Sequence, residues 1–138
     1  LYTWDEAMQY STEEGAQGIC PQGWHVPSVS DWRELSEFLG PDSAGMRMKV
    51  TQEDFPSWDG TNASGFSALP AGGGYAGNYH RINSWALFWS STPNGADRAW
   101  FTQLDNYWYV APPKYLKLII DNFYQQFNGM SVRCIRNR

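Results

Sequence analysis

At 138 residues the chain is one domain by length, long enough to bury about two thirds of the surface its unfolded form exposes. With 10 basic and 14 acidic residues it carries a net charge of −4 and no basic run, which excludes the clustered Lys and Arg that nucleic acid or an anionic membrane surface requires. No apolar run approaches the roughly 20 residues that span a bilayer, and no secretory leader is present, so we read the chain as a mature fragment or an excised domain. Aromatic residues make up 17% of it, including eight Trp and eight Tyr. That is more ring than one small core needs, and it places some rings on the surface.

The first predicted element is an amphipathic helix from Tyr2 to about Glu14. Thr3 caps it, Glu6 three residues on completes a capping box, and Trp4, Ala7 and Met8 fall at helical spacing. Gly15 and Gly18 end it. A turn at Pro21 and Gly23 leads into a short strand, Trp24-His25-Val26, which Pro27 stops. Ser28 or Ser30 then caps a second helix from Asp31 to about Leu39, with Trp32, Leu35 and Phe38 on one face and Gly40-Pro41 at its end.

Residues 41–84 read as loop, densest in glycine at Gly72-Gly73-Gly74, which we take as a tight loop. Phe55, Trp58, Phe66, Leu69, Tyr75 and Tyr79 stud this stretch, which predicts an ordered, loop-rich layer that packs its own side chains. Strands follow: Ala86–Ser91, a turn at Thr92–Gly95, alternating runs at Ala99–Leu104 and Tyr107–Val110, and a further strand at Tyr115–Ile120. A loop around Asn122–Gly129 precedes a closing strand, Met130–Ile135. Helices first and antiparallel strands last predict an α+β fold: two N-terminal helices, a loop-rich middle and a twisted antiparallel sheet with adjacent termini.

Chemistry-bearing residues are few. The count of two cysteines, Cys20 and Cys134, excludes a zinc site built on cysteine or a Cys-x-x-Cys pair. They are either two reduced, buried thiols or one disulfide, which would close nearly the whole chain and contribute about 4–5 kcal/mol. His25 sits in a strand and reads as packed and hydrogen-bonded. His80 lies in a loop between Tyr79 and Arg81 as a surface or ligand-contacting residue. No nucleophile elbow, zinc-protease helix or phosphate loop is present. The nearest calcium candidates, Asp59 and the Asp105-Asn106 pair, stand where turn residues commonly do. No cofactor and no metal are expected, and the chain reads as a non-enzyme.

One constellation runs nearly the whole length. It comprises Trp4-Asp5-Glu6-Ala7, Cys20-Pro21-x-Gly23-Trp24-His25-Val26-Pro27-Ser28-x-x-Asp31-Trp32, Gly65-Phe66-Ser67-Ala68-Leu69-Pro70, Phe88-Trp89-Ser90-Ser91-Thr92, Ala99-Trp100 and Gly129-Met130-Ser131-Val132-Arg133-Cys134. In this order and spacing it resembles the Fibrobacter succinogenes major paralogous domain family. That family looks like the formylglycine-generating (sulfatase-modifying) branch of the C-type lectin fold. The resemblance implies a C-type-lectin-like domain of a bacterial secreted or cell-surface protein. It also implies that the strand at Trp24 lies near the last strand, and that Cys20 and Cys134 form a disulfide. An oxidase of that branch needs a reactive cysteine pair at its groove, whereas both cysteines here match structural positions. The Glu-Pro-Asn and Trp-Asn-Asp triplets of calcium-dependent lectins are absent.

Only the stretch from about Phe101 to Asn128 departs from the family pattern, and there we place function. Strand alternation puts Trp100, Thr102 and Leu104 on one face, with Trp100 and Leu104 in the core, and turns Phe101 and Gln103 outward. The expected ligand-binding residues are Phe101, Gln103, Asp105, Asn106, Tyr107, Tyr109, Tyr115, Lys117, Asp121, Phe123 and Tyr124. Aromatic rings supply contact area at little entropic cost, and the polar members supply orientation. Members of the family recur as variable proteins of diversity-generating retroelements, in which Asn codons near the gene's end are randomised at adenines. Such codons yield Tyr and Phe but never Trp. The resemblance thus implies variable positions at Tyr107, Tyr109, Tyr115, Phe123 and Tyr124, with Trp100 and Trp108 as framework. The expected partner is a protein or glycan on another cell or surface, met outside the cell or on a virus particle. A carbohydrate-binding module of a bacterial surface protein is the rival reading.

Overall fold

A computed structural model of the chain describes residues 1–106, 117–126 and 128–138, with the side chain of Asp121 outside the description. Tyr107, Trp108, Tyr109, Tyr115 and Phe127 therefore lie outside the described residues, as does the strand expected at Tyr107–Val110. In chain order the elements are α1 (Trp4–Met8), β1 (Trp24–His25), α2 (Val29–Leu39), α3 (Ala44–Met48), β2 (Gly73–Tyr75), β3 (Asn78–His80), β4 (Trp85–Pro93), β5 (Arg98–Asp105), β6 (Ile119–Gln125) and β7 (Ile135–Arg136). The fold is mixed α and β, with few helices and antiparallel sheets. Among the described residues the strands form three sheets, β4-β5-β6, β2-β3 and β1-β7.

The capping box expected at Thr3 forms, and Ser28, one of the two expected caps of the second helix, forms another. Thr3 and Glu6 exchange bonds at the start of α1, and Ser28 and Asp31 do so at the start of α2. The first helix is much shorter than its periodicity predicted, because Gln9 and Tyr10 both take positive φ and end it after five residues. Where the chain returns against α1, only glycine fits at position 18: at φ +54 a Cβ would stand 2.2 Å from the Ala7 carbonyl oxygen. In α2 the buried face is Trp32, Ser36 and Leu39, while Phe38 is 85% exposed. Of the expected face Trp32–Leu35–Phe38, Trp32 is in the core and Leu35 packs against it, while the i, i+4, i+7 row through Trp32 turns Phe38 to solvent.

The three-stranded sheet is the centre of the molecule. Register pairs Trp85, Leu87 and Trp89 of β4 with Asp105, Gln103 and Phe101 of β5, so these share one face, while Ala86 and Phe88 share the other with Leu104 and Thr102. The second face packs on Trp32, Leu39, Met48 and Trp58. The first packs at one end on Trp4, Ala7, Met8 and Met130. The Phe88-to-Thr92 motif is spent on holding these layers. The Trp4 indole donates to the Ser90 carbonyl at 2.8 Å, and the Trp89 indole to the Tyr2 carbonyl at 2.9 Å. Ser91 Oγ accepts from the Gly15 amide, and Thr92 Oγ1 from the Val29 amide.

Residues 41–84 contain more structure than expected. Gly72–Gly74 is not a loop alone: Gly73 and Gly74 belong to β2, which turns at Ala76 and Gly77 into β3. Trp58 is buried in the expected layer, but Phe55 is fully exposed and Tyr75 and Tyr79 are 49% and 71% exposed. The last strand of the central sheet lies further along than Tyr115–Ile120, running through Asn122, Phe123 and Tyr124 where a loop was expected. The closing segment is split. Gly129, Met130 and Ser131 make single bridges to Gly74, Tyr2 and Phe88, and Ile135–Arg136 pairs with Trp24–His25. That pairing brings the strand at Trp24 beside the last one, and Cys20 and Cys134 form a disulfide across a sequence separation of 114 residues.

Candidate functional site

The free part of the first sheet face forms the floor of a groove. Past the end covered by α1, Trp85, Leu87, Phe101 and Gln103 face a cavity of about 440 Å³, whose opposite wall is the β2–β3 hairpin. Gly73 and Gly74 form that wall, with Tyr75, His80 and Arg81 at its mouth. Tyr124 of β6 closes one side, and Asn128, Gly129 and Met130 close the end. The walls approach closely where they meet. A Cβ on Gly73 would stand 2.8 Å from Leu87, and Gly74 and Gly129 exchange backbone bonds at 2.7 and 2.8 Å.

Polar groups in the groove are few and placed. Gln103 donates to Asp105 Oδ1 at 2.6 Å and accepts from Asn122 at 3.3 Å, which fixes its amide. Arg81 lies 4.9 Å from the centre of the Trp85 ring, close enough for a cation–π contact. The Asn128 side chain donates to the Gln125 carbonyl at 2.8 Å. Its Oδ1, in a residue only 2% exposed, has no partner, and neither has the Trp85 indole nitrogen. An unmet buried polar atom costs about 1–3 kcal/mol.

The residues expected to bind ligand are divided by the fold. Gln103 and Tyr124 reach the groove, and Phe101 reaches its floor. Phe101 does not face outward: it is 7% exposed and packs edge-to-face on Trp89. The alternation was right, but the face assigned to solvent is covered by α1 and Met130. Asp105 and Asn106 are also buried, at 1% and 8% exposure, so neither offers its side chain at the surface. Trp100, expected in the core, is half-buried against Phe123, with ring centres 5.4 Å apart. Phe123 and Tyr124 are both exposed but point to opposite faces of β6, since Phe123 pairs with Trp100 and Tyr124 with Ala99. Lys117 forms an ion pair with Asp42 at 2.8 Å, which holds the Asp42 carboxyl below its usual range. For Asp121 only the backbone, within β6, is described.

Sequence reasoning missed the hairpin. Its signal was present: Ala76-Gly77 between two short runs is a two-residue loop, and both residues take the positive φ such a loop demands. Ala in place of the usual Asn or Asp hid it.

The calcium candidates Asp59 and Asp105 do converge, but on an ammonium group. Lys49, fully buried, donates to Asp59 Oδ1 and to the Asp105 carbonyl, both at 2.8 Å, and lies 5.3 Å from the Trp58 ring. Burial lowers the Lys49 pKa against the opposing pull of Asp59 and Asp105. These oxygens are thus engaged by the protein's own cation. No group of three or more His, Cys, Asp or Glu able to hold a metal occurs among the described residues. His25 spans Asn137 at 2.7 Å and Asp31 at 3.4 Å. Burial pushes the Asp31 carboxyl up, but hydrogen bonds from Ser28 and His25 together outweigh it, and the net shift is downward.

These features define a disulfide-closed domain of mixed α and β structure with a glycine-walled, aromatic groove beside its central sheet. The model of the Fibrobacter succinogenes major domain family matches residues 1–136, and the chain belongs to that family. No curated protein and no solved structure matches it.

Proposed function

We propose that the chain is a non-enzymatic recognition domain with a C-type-lectin-like fold of the formylglycine-generating branch, and that the groove between the hairpin and the β4-β5-β6 sheet receives its ligand. The observation that carries this reading is the groove itself. It is a concave, mostly apolar site with a small set of fixed polar groups, the usual build of a ligand pocket. Its rim exposes Tyr75 and Tyr124 at 49% and 47%. Large exposed rings at a groove mouth give contact area with little loss of side-chain freedom.

In this reading the domain works outside the cell or on a virus particle, as a variable protein of a diversity-generating retroelement. The disulfide suits an oxidising compartment. Tyr124 at the groove and Phe123 on the opposite face are exposed positions where substitution leaves the core intact. Buried Phe101 belongs to the framework instead. The test is a glycan array run beside a protein-ligand screen, using the full chain and a Tyr75→Ala/Tyr124→Ala variant. Ligands of the wild type that the variant loses support the groove. Ligands held equally by both overturn it.

A further inference from the structure

We infer that Asn94, in the turn between β4 and β5, is a site of spontaneous covalent modification, where the side-chain amide becomes a carboxylate through a cyclic imide closed by the Gly95 nitrogen.

The reaction needs an Asn or Asp followed by glycine, because a glycine has no Cβ to hinder the close approach of its own nitrogen. Three such pairs stand in the chain: Asp59-Gly60, Asn94-Gly95 and Asn128-Gly129. At Asn94 the Gly95 backbone nitrogen loses its proton and bonds to Cγ of Asn94. The Cγ–Nδ2 bond breaks, and Nδ2 takes up a proton and leaves as ammonia. Water then opens the imide. Cleavage of the new bond to Cγ gives aspartate, and cleavage of the original peptide bond gives isoaspartate. Nothing is oxidised or reduced, and water is the co-reactant.

The fold separates the three pairs. The attacking nitrogen must be released from any hydrogen bond, and the side chain must be free to swing over the main chain. At Asn128 neither condition is met. The Gly129 amide donates to the Gly74 carbonyl at 2.8 Å, the Asn128 side chain donates to the Gln125 carbonyl at 2.8 Å, and the residue is 2% exposed. At Asp59 the Gly60 amide donates to the Val50 carbonyl at 3.0 Å, and the carboxylate accepts from Lys49 at 2.8 Å. Asn94 differs in both respects. Among the described residues the Gly95 amide donates to no carbonyl, and the Asn94 side chain makes no hydrogen bond. Gly95 is exposed, with open space where a Cβ would stand. The turn is held instead by the Asn94 amide on the Arg98 carbonyl at 2.8 Å and the Gln126 amide on the Asp97 carbonyl at 2.9 Å. Neither bond engages the reacting atoms. Reaction at Asn128 or Asp59 therefore waits for local opening of the fold, and reaction at Asn94 does not.

The experiment ages the full chain in mildly alkaline buffer, which favours the deprotonated glycine nitrogen. Samples are mapped by peptide mass spectrometry, and isoaspartate is counted by enzymatic methylation. A parallel sample is aged in urea with its disulfide reduced. Wild type is compared with Asn94→Ser, a change in an exposed turn. In the folded chain we expect acid to form at Asn94 about tenfold or more faster than at Asn128, with Asp59 unchanged. In urea the two asparagines should convert at comparable rates. The acidic species that wild type accumulates on an anion exchanger should be missing from Asn94→Ser. Asn128 or Asp59 reacting as fast as Asn94 in the folded chain overturns the assignment. So does an Asn94 that stays intact in the folded chain, or an acidic species that persists in Asn94→Ser.

Discussion

Phe101 and Tyr124 come from the same aromatic-rich stretch, yet burial gives them opposite roles. Phe101 is 7% exposed and lies against Trp89, whereas Tyr124 stands at the groove's edge. Phe101→Ala is expected to lower stability by about 3–5 kcal/mol, and Tyr124→Ala to leave it within roughly 0.5 kcal/mol; urea unfolding of both variants checks this. Trp24, in the short strand β1, is 38% exposed, so its loss should cost far less than that of Trp4 or Trp89. Lys49 is the other residue whose role only the fold discloses. Its removal takes a charged donor from the Asp59 carboxylate and the Asp105 carbonyl. Because Asp59 is partly exposed, Lys49→Ala should cost about 3 kcal/mol, near the low end for a broken buried pair. A melting temperature unchanged from wild type would contradict the stapling role.

Among the elements, local chemistry was the most legible part. The Thr3–Glu6 capping box was readable, and Ser28 as one of two candidate caps of α2, because a cap depends on residues three apart. The length of α1, the place of β6 and the β2–β3 hairpin were not, since each is decided by distant contacts. Gln126 takes the Trp4 amide on its carbonyl, and Gly129 pairs with Gly74. The acid behaviour follows from α2's cap. The folded Asp31 pKa lies below its ordinary value. Its contribution is therefore complete above the unfolded value of about 3.9 and is lost as pH falls through the lower folded one. Asp31→Asn should cost about 1 kcal/mol at neutral pH, the usual scale of a lost cap. It should also flatten the fall in stability below about pH 4, which urea titrations at several pH values would register. An equally steep fall in the variant would assign the acid limb to other carboxylates.

For the whole molecule, the order of helices and strands gave the α+β class, and the family motifs gave the disulfide's partners. The candidate site was legible only in part. Gln103 and Tyr124 were named from the sequence, while Trp85, Arg81 and Asn128 were not, because a groove wall is made by elements far apart in the chain. Replacing Cys20 and Cys134 by Ser frees a loop of 114 residues' separation and should cost about 4–5 kcal/mol in the chain-entropy account, seen as a lower urea midpoint. The groove should keep its shape in the surviving folded fraction, since its walls are held by backbone pairing between β2, Gly129 and β4.

The most direct measurement is a heteronuclear NMR titration of the full chain with the first ligand that the array or the protein screen yields. We expect the Trp85 indole N–H and the amides of Gly73, Gly74 and Gly129 to shift together and to saturate with one affinity. Shifts confined to the loop around Phe55 and Asp59, with the Trp85 indole unmoved, would place recognition elsewhere and contradict the account.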